Sequence, residues 1–529
     1  IQFMKESDSY PHRPDTVEHI QTHISHVFMA PPFVYKMKKG VDFGFLDYST
    51  LEKRKSYCEK EVALNRRLCS DIYLGVVPVV MIDEELRLGE VNEQAEEDEI
   101  VEYAVKMNML DDRYFLHTFI DNHELTTEHL NRVVDTLTPF YRKQQPDERV
   151  KEYGKIERIR VNTDENFDQT EVFIGETIAP QAFNAIKRYT NRYLDKKASL
   201  FKARVEENRI VNGHGDLHLE HIHISPKGVC IYDCIEFSER LRCGDQAVDL
   251  AFLAMDLDYN AEWNLSRYFV DQMAEALRDD DLTEIIDFYK CYRAFVKGKV
   301  KSLKSAEEEV DAKDREEAKQ IAAVYFNLAL RYALIGSEPI ILMCMGRIGT
   351  GKSTIAEWLS DSLGLPVYSS DRIRKEMAGL PLKKRTPADT RQEIYSPEIS
   401  QKTYETLLSK GEAEIADGNS VILDATFSKA DDRHTIAARF DEQHINYLYI
   451  EAVAPDDVIK SRLKKRENDP NCISDARLED FEMLTESYDE PSEIDPGSLI
   501  RIRTDQDVEE TREAFYHKLI DRQLSDGGR

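Results

Sequence analysis

One short stretch constrains the fold of this chain more than any other. Residues 346 to 353, GRIGTGKS, fit the pattern G-x-x-x-x-G-K-[ST], in which glycines let backbone N–H groups turn onto phosphate oxygens. The apolar run 339–345 before the loop predicts a buried strand, and 353–363 after it predicts a helix that stops at Gly364. Strand, loop and helix together predict a site for ATP or GTP with Mg²⁺. The predicted phosphate-binding residues are Gly346, Gly349, Thr350, Gly351, Lys352, Ser353 and Thr354, with Lys352 on the outer phosphates and Ser353 on Mg²⁺.

Strands and helices alternate after this loop. An apolar strand at 420–423 ends in Asp424, helices are predicted at 397–416 and 429–441, and the next strand covers 445–453. This spacing predicts a parallel, doubly wound sheet with its ligands at the carboxyl ends of the strands. The glycine-rich loop, Asp371 and Asp424 all fall at such ends.

Residues 339–525 resemble the group of P-loop kinases that contains polynucleotide kinases, gluconate kinases and zeta toxins. The resemblance implies that Asp371 contacts the acceptor hydroxyl, that Arg374 binds a substrate phosphate and that Asp424 holds Mg²⁺ through water. It also implies a phosphate clamp on a helix predicted from Asp456 to Glu467, made by Arg462 and Arg466. Two plainer interpretations stay open: a solvated helix face for the two arginines and a helix N-cap for Asp371.

The first hundred residues predict a small sheet with one inserted helix. Extended runs at 20–29 and 33–38 flank Pro31-Pro32, and further strands are predicted at 76–81, 86–91 and 100–109. Helical periodicity covers 48–68 and returns from 111 to 208. Asp42-Phe43-Gly44 spells a kinase D-F-G, but it follows a candidate third strand directly, so we reject it as a metal site.

Two carboxylates follow in a second informative stretch. Asp216 lies in the tight loop of 211–224, and Asp233 ends an apolar strand after the turn at 225–228. Phosphoryl transfer uses such a pair, one carboxylate to receive the hydroxyl proton and the other to hold Mg²⁺ on the phosphates.

His214-Gly215-Asp216 resembles the catalytic loop of the aminoglycoside phosphotransferase and choline kinase group, over residues 20–300. The resemblance implies a two-lobed kinase-like fold with Asp216 as catalytic base and Asp233 as the principal metal ligand. It also implies that Lys36 binds the nucleotide phosphates with Glu61 as its helix partner, although an ordinary surface pair is the plainer alternative. Where the group has asparagine as a second metal ligand, this chain has His221, and Mg²⁺ prefers oxygen. Either His221 has another role or Glu236 supplies the oxygen.

The charge of the chain limits its partners. Lys+Arg 71 against Asp+Glu 100 gives a net charge of −29 over 529 residues, so a nucleic-acid partner is disfavoured. No apolar run reaches membrane-spanning length, which predicts a cytoplasmic protein without a membrane partner. The eight cysteines are scattered, so we expect reduced thiols. Cys230, Cys234 and Cys243 lie near the histidines of 214–223 but lack the tight C-x-x-C pairs of zinc ligands, so structural zinc is not predicted.

The sequence therefore predicts an α+β kinase-like region followed by an α/β P-loop region, and the whole chain resembles fused proteins of these two types. The predicted domains are 1–110, 111–335 and 339–529. We predict a two-module, ATP-dependent phosphotransferase that acts on the hydroxyl of a small molecule. The alternatives are a polynucleotide 5′-hydroxyl kinase with a recognition or regulatory N-terminal module, and a nucleotide sensor without catalysis.

Overall fold

The computed structural model describes residues 1–44, 46–93, 96, 99–466 and 473–525. The chain folds into two compact units. The N-terminal unit comprises Ile1–Asn162 and Lys197–Lys290, and the P-loop unit comprises Thr163–Lys196 and Cys291–Arg529. This division differs from the predicted boundaries, because the helical segments at 163–196 and 291–336 belong to the P-loop unit.

The N-terminal unit begins with a six-stranded antiparallel sheet in the order β1-β2-β3-β6-β4-β5. Helix α1 packs on β4 and β6, and its N-cap Thr50 accepts a hydrogen bond from the N–H of Lys53. The predicted run 20–29 is two strands, with a turn at 22–24. The elements are β1 (Glu18–Gln21), β2 (Ser25–Ala30), β3 (Phe33–Lys38), α1 (Leu51–Asn65), β4 (Tyr73–Ile82), β5 (Glu85–Leu88) and β6 (Ile100–Asn108).

Side chains along β3 alternate between the two faces of the sheet, and this alternation decides on which face its two lysines lie. Tyr35 and Met37 belong to a core on one face of the sheet, whereas Val34 packs into the core that contains Cys58 and Val62 of α1. Successive side chains of a strand point to opposite faces. Lys36 and Lys38 are therefore on the face that α1 covers.

Residues 112 to 334 are mostly helical. Two short antiparallel pairs, β7 with β10 and β8 with β9, hold the loops that carry Asp216 and Asp233. The elements are α2 (Leu116–Asp121), α3 (Thr127–Arg142), α4 (Glu148–Lys151), α5 (Ile156–Thr170), α6 (Pro180–Lys196), α7 (Ala198–Glu206), β7 (Ile210–Asn212), β8 (Ile222–Ser225), β9 (Gly228–Ile231), α8 (Glu239–Arg242), β10 (Cys243–Asp245), α9 (Gln246–Tyr259), α10 (Trp263–Leu277), α11 (Leu282–Ala306) and α12 (Ala312–Leu334).

The P-loop unit contains a five-stranded, all-parallel sheet in the order β12-β13-β11-β14-β15. Helices α6 and α12 contact α20, and α12 also contacts α13, which explains why these helices group with this unit. The elements are β11 (Ile340–Met345), α13 (Lys352–Leu363), β12 (Val367–Ser369), α14 (Ser370–Met377), α15 (Ala388–Ile394), α16 (Pro397–Ala416), β13 (Val421–Asp424), α17 (Ala430–Glu442), β14 (Asn446–Val453), α18 (Asp456–Arg466), α19 (Phe481–Glu486), β15 (Leu499–Arg503) and α20 (Val508–Gln523). The end predicted for α18, Glu467, lies outside the described residues.

The predicted fold class is confirmed: an α+β region with an antiparallel sheet precedes a doubly wound parallel sheet. All six side chains of β11 are buried, as expected for a central strand covered on both faces. Among the described residues, no helix has both the length and the apolar composition needed to cross a membrane.

One expectation about the cysteines is wrong. Cys69 and Cys230 form a disulfide within the N-terminal unit, although 161 residues separate them in the chain. Cys69 follows α1 and Cys230 lies in β9, so the fold, and not sequence spacing, brings the two sulfurs together. The other described cysteines, Cys58, Cys234, Cys243, Cys291 and Cys344, are free and buried.

Candidate functional site

The glycine-rich loop joins β11 to α13 at the carboxyl edge of the parallel sheet. Gly346, Gly349 and Gly351 have φ values of 135°, 70° and 100°, a region that side chains disfavour and glycine enters freely. At Gly346 a Cβ atom would also lie 2.5 Å from the carbonyl oxygen of Ala452. The glycines therefore hold a tight turn at the N-terminus of α13, where backbone N–H groups and the helix dipole favour an anion.

Three side chains of the predicted set meet beside this turn. Ser353 Oγ donates to Oδ2 of Asp424 at 2.7 Å, and Lys352 Nζ donates to the carbonyl oxygen of Arg347 at 3.0 Å. Asp424 pairs in register with Cys344 of β11, so the end of β13 lies beside the start of the loop. Ser353 and Thr354 are exposed in the first turn of α13, open to a ligand.

Burial disfavours the ionised forms of both Lys352 and Asp424. It lowers the pKa of Lys352, an effect that the carboxylates of Asp424 and Asp371 oppose. Burial also raises the pKa of Asp424, against the pull of the Lys352 ammonium. Hydroxyl and carboxylate oxygens are the ligands Mg²⁺ prefers, and an ammonium at a helix N-terminus suits a polyphosphate. The residues present therefore fit Mg²⁺ and a nucleoside triphosphate.

Asp371 lies half-buried in the first turn of α14, directly after β12. The N-cap of that helix is Ser369, so Asp371 does not act as the cap. Tyr395 donates to Oδ1 of Asp371 at 3.3 Å, and burial raises the pKa of the Tyr395 hydroxyl. The sequence did not single out Tyr395, because it lies in a separate segment, at the end of α15.

Arg374 lies deeper than its predicted role suggests. Its side chain is buried, Nη1 donates to the carbonyl oxygen of Ile394 at 2.8 Å and to Ser400 Oγ at 3.0 Å, and the guanidinium stacks on Tyr395 with 4.4 Å to the ring centroid. These contacts anchor the segment before α16. Binding of a substrate phosphate by Arg374 stays a prediction.

The two arginines of α18 lie near the loop. Arg462 Nη1 donates to the carbonyl oxygen of Thr350 at 3.1 Å and to Thr504 Oγ1 at 3.0 Å. Arg466 is near enough for its charge to help lower the pKa of Lys352, for which burial is the main cause. Thr504, which the sequence did not reveal, donates its hydroxyl to the same Thr350 oxygen at 2.5 Å. A position just past the carboxyl end of β15 was the signal that could have found it.

The N-terminal unit brings Lys36, Glu61 and Asp233 together. Lys36 Nζ lies 3.0 Å from Oε1 of Glu61 and 2.6 Å from Oδ1 of Asp233. Burial opposes ionisation of Lys36, but the two carboxylates hold the pKa of Lys36 well above its ordinary value. Burial likewise opposes ionisation of Asp233, and the Lys36 ammonium outweighs it and lowers the pKa of that carboxyl.

A second lysine shares the same glutamate. Lys38 Nζ lies 2.7 Å from Oε2 of Glu61 and forms an ion pair with Glu236. Tyr48 also donates to Oε1 of Glu236, at 2.5 Å. The side chain of Lys38 is 1% exposed, whereas that of Lys36 is 15% exposed. Glu236 is therefore part of a closed ion-pair network, where the oxygen bound by Lys38 and Tyr48 is not available to a metal ion.

The loop between β7 and β8 is held from below by Asp249 of α9. Its carboxylate accepts hydrogen bonds from the N–H groups of His214 at 2.7 Å and Gly215 at 2.8 Å, and from the Tyr141 hydroxyl at 3.2 Å. Burial lowers the pKa of His214 to about 3, so this imidazole is neutral at physiological pH. The buried carboxylate of Asp249 thus fixes the loop from the protein interior, whereas the side chain of Asp216, which belongs to the loop, is 35% exposed.

His221 lies between Asp216 and Asp233. Its Nδ1 donates to the backbone oxygen of Asp216 at 2.9 Å, and its Nε2 lies 3.6 Å from Oδ2 of Asp233. Burial lowers the pKa of His221, and His218 adds to the effect. Since Mg²⁺ prefers oxygen and needs near-octahedral geometry, the imidazole of His221 does not fit the predicted Mg²⁺ set, and Oε1 of Glu236 is already bound by Lys38 and Tyr48.

Comparison with known proteins agrees with this geometry in the C-terminal part. Residues 341–491 match the family described as AAA domain. The chain is 26% identical over 448 residues to an uncharacterized protein of Mycobacterium bovis, a match that covers 84% of this chain and 85% of that protein. An uncharacterized protein of Mycobacterium tuberculosis matches with the same identity and coverage.

Solved kinases resemble parts of the chain. A gluconokinase from Sinorhizobium meliloti is 17% identical and covers 35% of this chain and 94% of its own, with a TM-score of 0.24. The choline kinase from Cryptosporidium parvum is 9% identical and covers 62% of this chain and 92% of its own, with a TM-score of 0.38.

The fold and the loop before α13 define the class of this chain. A glycine-rich turn with an adjoining lysine, serine and aspartate, within a stretch that matches the family described as AAA domain, forms a nucleotide-binding site of the P-loop type.

Proposed function

We propose that the P-loop unit transfers the γ-phosphoryl group of ATP to the hydroxyl group of a small molecule. The observation that carries the proposal is the placement of Lys352, the Ser353–Asp424 pair and Asp371 at neighbouring carboxyl ends of parallel strands. Phosphoryl transfer depends mainly on positioning and on electrostatic stabilisation of the transferred group. These residues supply both.

Each residue has one task in this proposal. The loop N–H groups and Lys352 bind phosphate oxygens, and Ser353 and Asp424 hold Mg²⁺. ATP supplies the phosphoryl group, and Mg²⁺ neutralises the charge on it. Asp371 orients the acceptor hydroxyl and accepts its proton, with Tyr395 fixing the carboxylate. Arg462, held by Thr350 and Thr504, keeps the loop closed around the phosphates.

The N-terminal unit is a candidate for a second phosphotransferase site. The contact of Lys36 with Glu61 and Asp233 favours this candidate, because a strand lysine paired with a helix glutamate is the arrangement that kinases use to bind phosphates. Asp216 would act there as the base that receives the hydroxyl proton. His221 argues against Mg²⁺ as the metal of that site.

A small acceptor agrees with the charge of the chain better than a polynucleotide does. A net charge of −29 repels a phosphodiester backbone. The basic residue that suggested a polynucleotide, Arg374, is buried and bonded to Ile394 and Ser400. A cytoplasmic location, where ATP and small hydroxyl compounds abound, is part of the proposal.

The test is a screen of hydroxyl compounds with γ-labelled ATP, run on the wild type and on the Lys352→Ala and Asp216→Ala variants. We expect a labelled product whose formation needs Lys352. A second product that needs Asp216 and not Lys352 would establish the N-terminal site as an enzyme. Label transfer that survives both substitutions would contradict the assignment of both sites.

A further inference from the structure

In the loop between β7 and β8, two histidines, His218 and His221, lie close to the carboxylate of Asp216. One ligand atom from each of Asp216, His218 and His221 lies within 4.8 Å of the others. His218 Nε2 is 3.4 Å from Oδ2 of Asp216, and His221 Nδ1 is 3.5 Å from the same oxygen. Oδ2 of Asp233 adjoins the group, 3.6 Å from His221 Nε2.

These separations suit one small ion. With metal–nitrogen and metal–oxygen bonds of about 2.0–2.1 Å, the ligand atoms of a tetrahedral site lie about 3.3–3.4 Å apart. Two of the pairs named above, His218 Nε2 with Asp216 Oδ2 and His221 Nε2 with Asp233 Oδ2, are within a few tenths of an ångström of that spacing. The rings of His218 and His221 lie against each other, with their centroids 3.9 Å apart, so small side-chain rotations would bring the two pairs around a common centre.

The orientation of His221 is also fixed in the manner of a metal ligand. Its Nδ1–H donates to the backbone oxygen of Asp216 at 2.9 Å. Imidazoles that bind metals usually donate their other N–H to a carbonyl or carboxylate, which sets the tautomer and leaves a lone pair for the metal. The lone pair is then on Nε2, the nitrogen that faces Asp233.

Burial gives the group a closed side and an open side. The side chains of His218 and His221 are 5% and 14% exposed, whereas those of Asp216 and Asp233 are 35% and 37% exposed. An ion held here would have imidazole ligands from the protein interior and carboxylate ligands toward solvent. The open side leaves room for water or an incoming oxygen.

We propose that Asp216, His218 and His221, with Asp233 beside them, form a binding site for a divalent transition ion of the Zn²⁺ class. Two imidazoles select Zn²⁺ or Co²⁺ over Mg²⁺, which takes oxygen ligands. The site rests on the geometry of these side chains and not on the proposed function, so binding is measured without nucleotide.

The probe is Co²⁺ titrated into the metal-free full-length chain and followed by its visible absorption. Four- or five-coordinate Co²⁺ absorbs strongly, while Co²⁺ in an octahedral, all-oxygen site such as that of Ser353 and Asp424 absorbs weakly. We expect one strongly absorbing Co²⁺ per chain, displaced by stoichiometric Zn²⁺ and retained in a hundredfold excess of Mg²⁺. A chain without the strong band, or one that loses it to Mg²⁺, would overturn the proposal.

Variants assign the ligands. His218→Ala, His221→Ala and the milder His221→Asn should each weaken Co²⁺ binding at least tenfold, whereas His123→Asn, at an exposed histidine outside the group, should bind as the wild type does. Zn²⁺ should raise the unfolding temperature of the wild type and of His123→Asn but not that of His221→Asn. Equal affinities in the wild type and both His221 variants would show that the ion binds elsewhere.

Discussion

The Ser353 hydroxyl donates a hydrogen bond to Oδ2 of Asp424 over 2.7 Å, although 71 residues separate the two in the chain. One belongs to the first turn of α13 and the other ends β13. The parallel pairing of β11 with β13 brings them together. The pairing of the strands thus brings together an oxygen pair of the kind that Mg²⁺ prefers.

Replacement of Asp371 by asparagine should separate chemistry from nucleotide binding. If Asp371 accepts the hydroxyl proton, Asp371→Asn should lower kcat by about 10²–10⁴-fold with little change in the KM for ATP. Asp361→Asn, at an exposed aspartate of α13, is the matched control and should leave both constants unchanged. Equal kcat values for Asp371→Asn and the wild type would exclude Asp371 as the base.

Asp424→Asn should remove function without loss of stability. Burial raises the pKa of Asp424, so the ionised carboxylate is a cost to the folded state that appears as the pH rises through that raised pKa. Asparagine keeps an acceptor for Ser353 and cannot ionise. At pH 7 we expect the nucleotide-free variant to unfold at or above the wild-type temperature, and the difference to shrink toward pH 4. Calorimetry measures both, and a lower unfolding temperature at pH 7 would contradict this electrostatic account.

The two lysines of β3 should behave differently despite their shared partner, Glu61. Lys38→Met leaves Glu236 buried without its cation and should destabilise the N-terminal unit by about 3–5 kcal/mol. Lys36 is more exposed, so Lys36→Met should cost less stability and act mainly on nucleotide affinity. Denaturant unfolding and nucleotide titration, both in a Lys352→Ala background, compare them. The reverse order of stability would refute this assignment.

Arg204 anchors the N-terminal unit and gives a pH-dependent prediction. Its guanidinium is 1% exposed and binds Asp245 and Asp279, so Arg204→Met should destabilise the unit by about 3–5 kcal/mol at pH 7. Although burial opposes it, hydrogen bonding to Arg204 lowers the pKa of Asp279.

The sign of the pH effect follows from that shift. A carboxyl with a lowered pKa stabilises the fold above its ordinary pKa of about 3.9 and loses this contribution as the pH falls through the lowered value. The difference in unfolding free energy between the wild type and Arg204→Met should therefore be largest near pH 7 and narrow below about pH 4. Urea unfolding at several pH values measures it, and a difference that widens in acid would be inconsistent with this ion pair.

Local patterns predicted much of the P-loop unit. The glycine spacing before Lys352 and the apolar strand ending in Asp424 are short-range signals, and the parallel sheet follows from the alternation of strands and helices. The contact of Lys36 with Glu61 was inferred through resemblance and agrees with the observed distance of 3.0 Å.

Long-range packing supplied what the sequence could not. The partners of Lys38 lie on α1 and in the segment after β9, and Thr504 reaches the loop from the end of β15. The disulfide of Cys69 with Cys230 depends on the same kind of approach. Periodicity reports which face of an element is buried but not which distant element covers it.

The central claim is that the turn before α13 binds the triphosphate through Lys352. Calorimetric titration of a non-hydrolysable ATP analogue with Mg²⁺ tests it most directly, with Lys402→Ala on the exposed face of α16 as the matched control. We expect Lys352→Ala to lose a nucleotide site that the wild type and Lys402→Ala retain. Identical binding curves for all three proteins would contradict the claim.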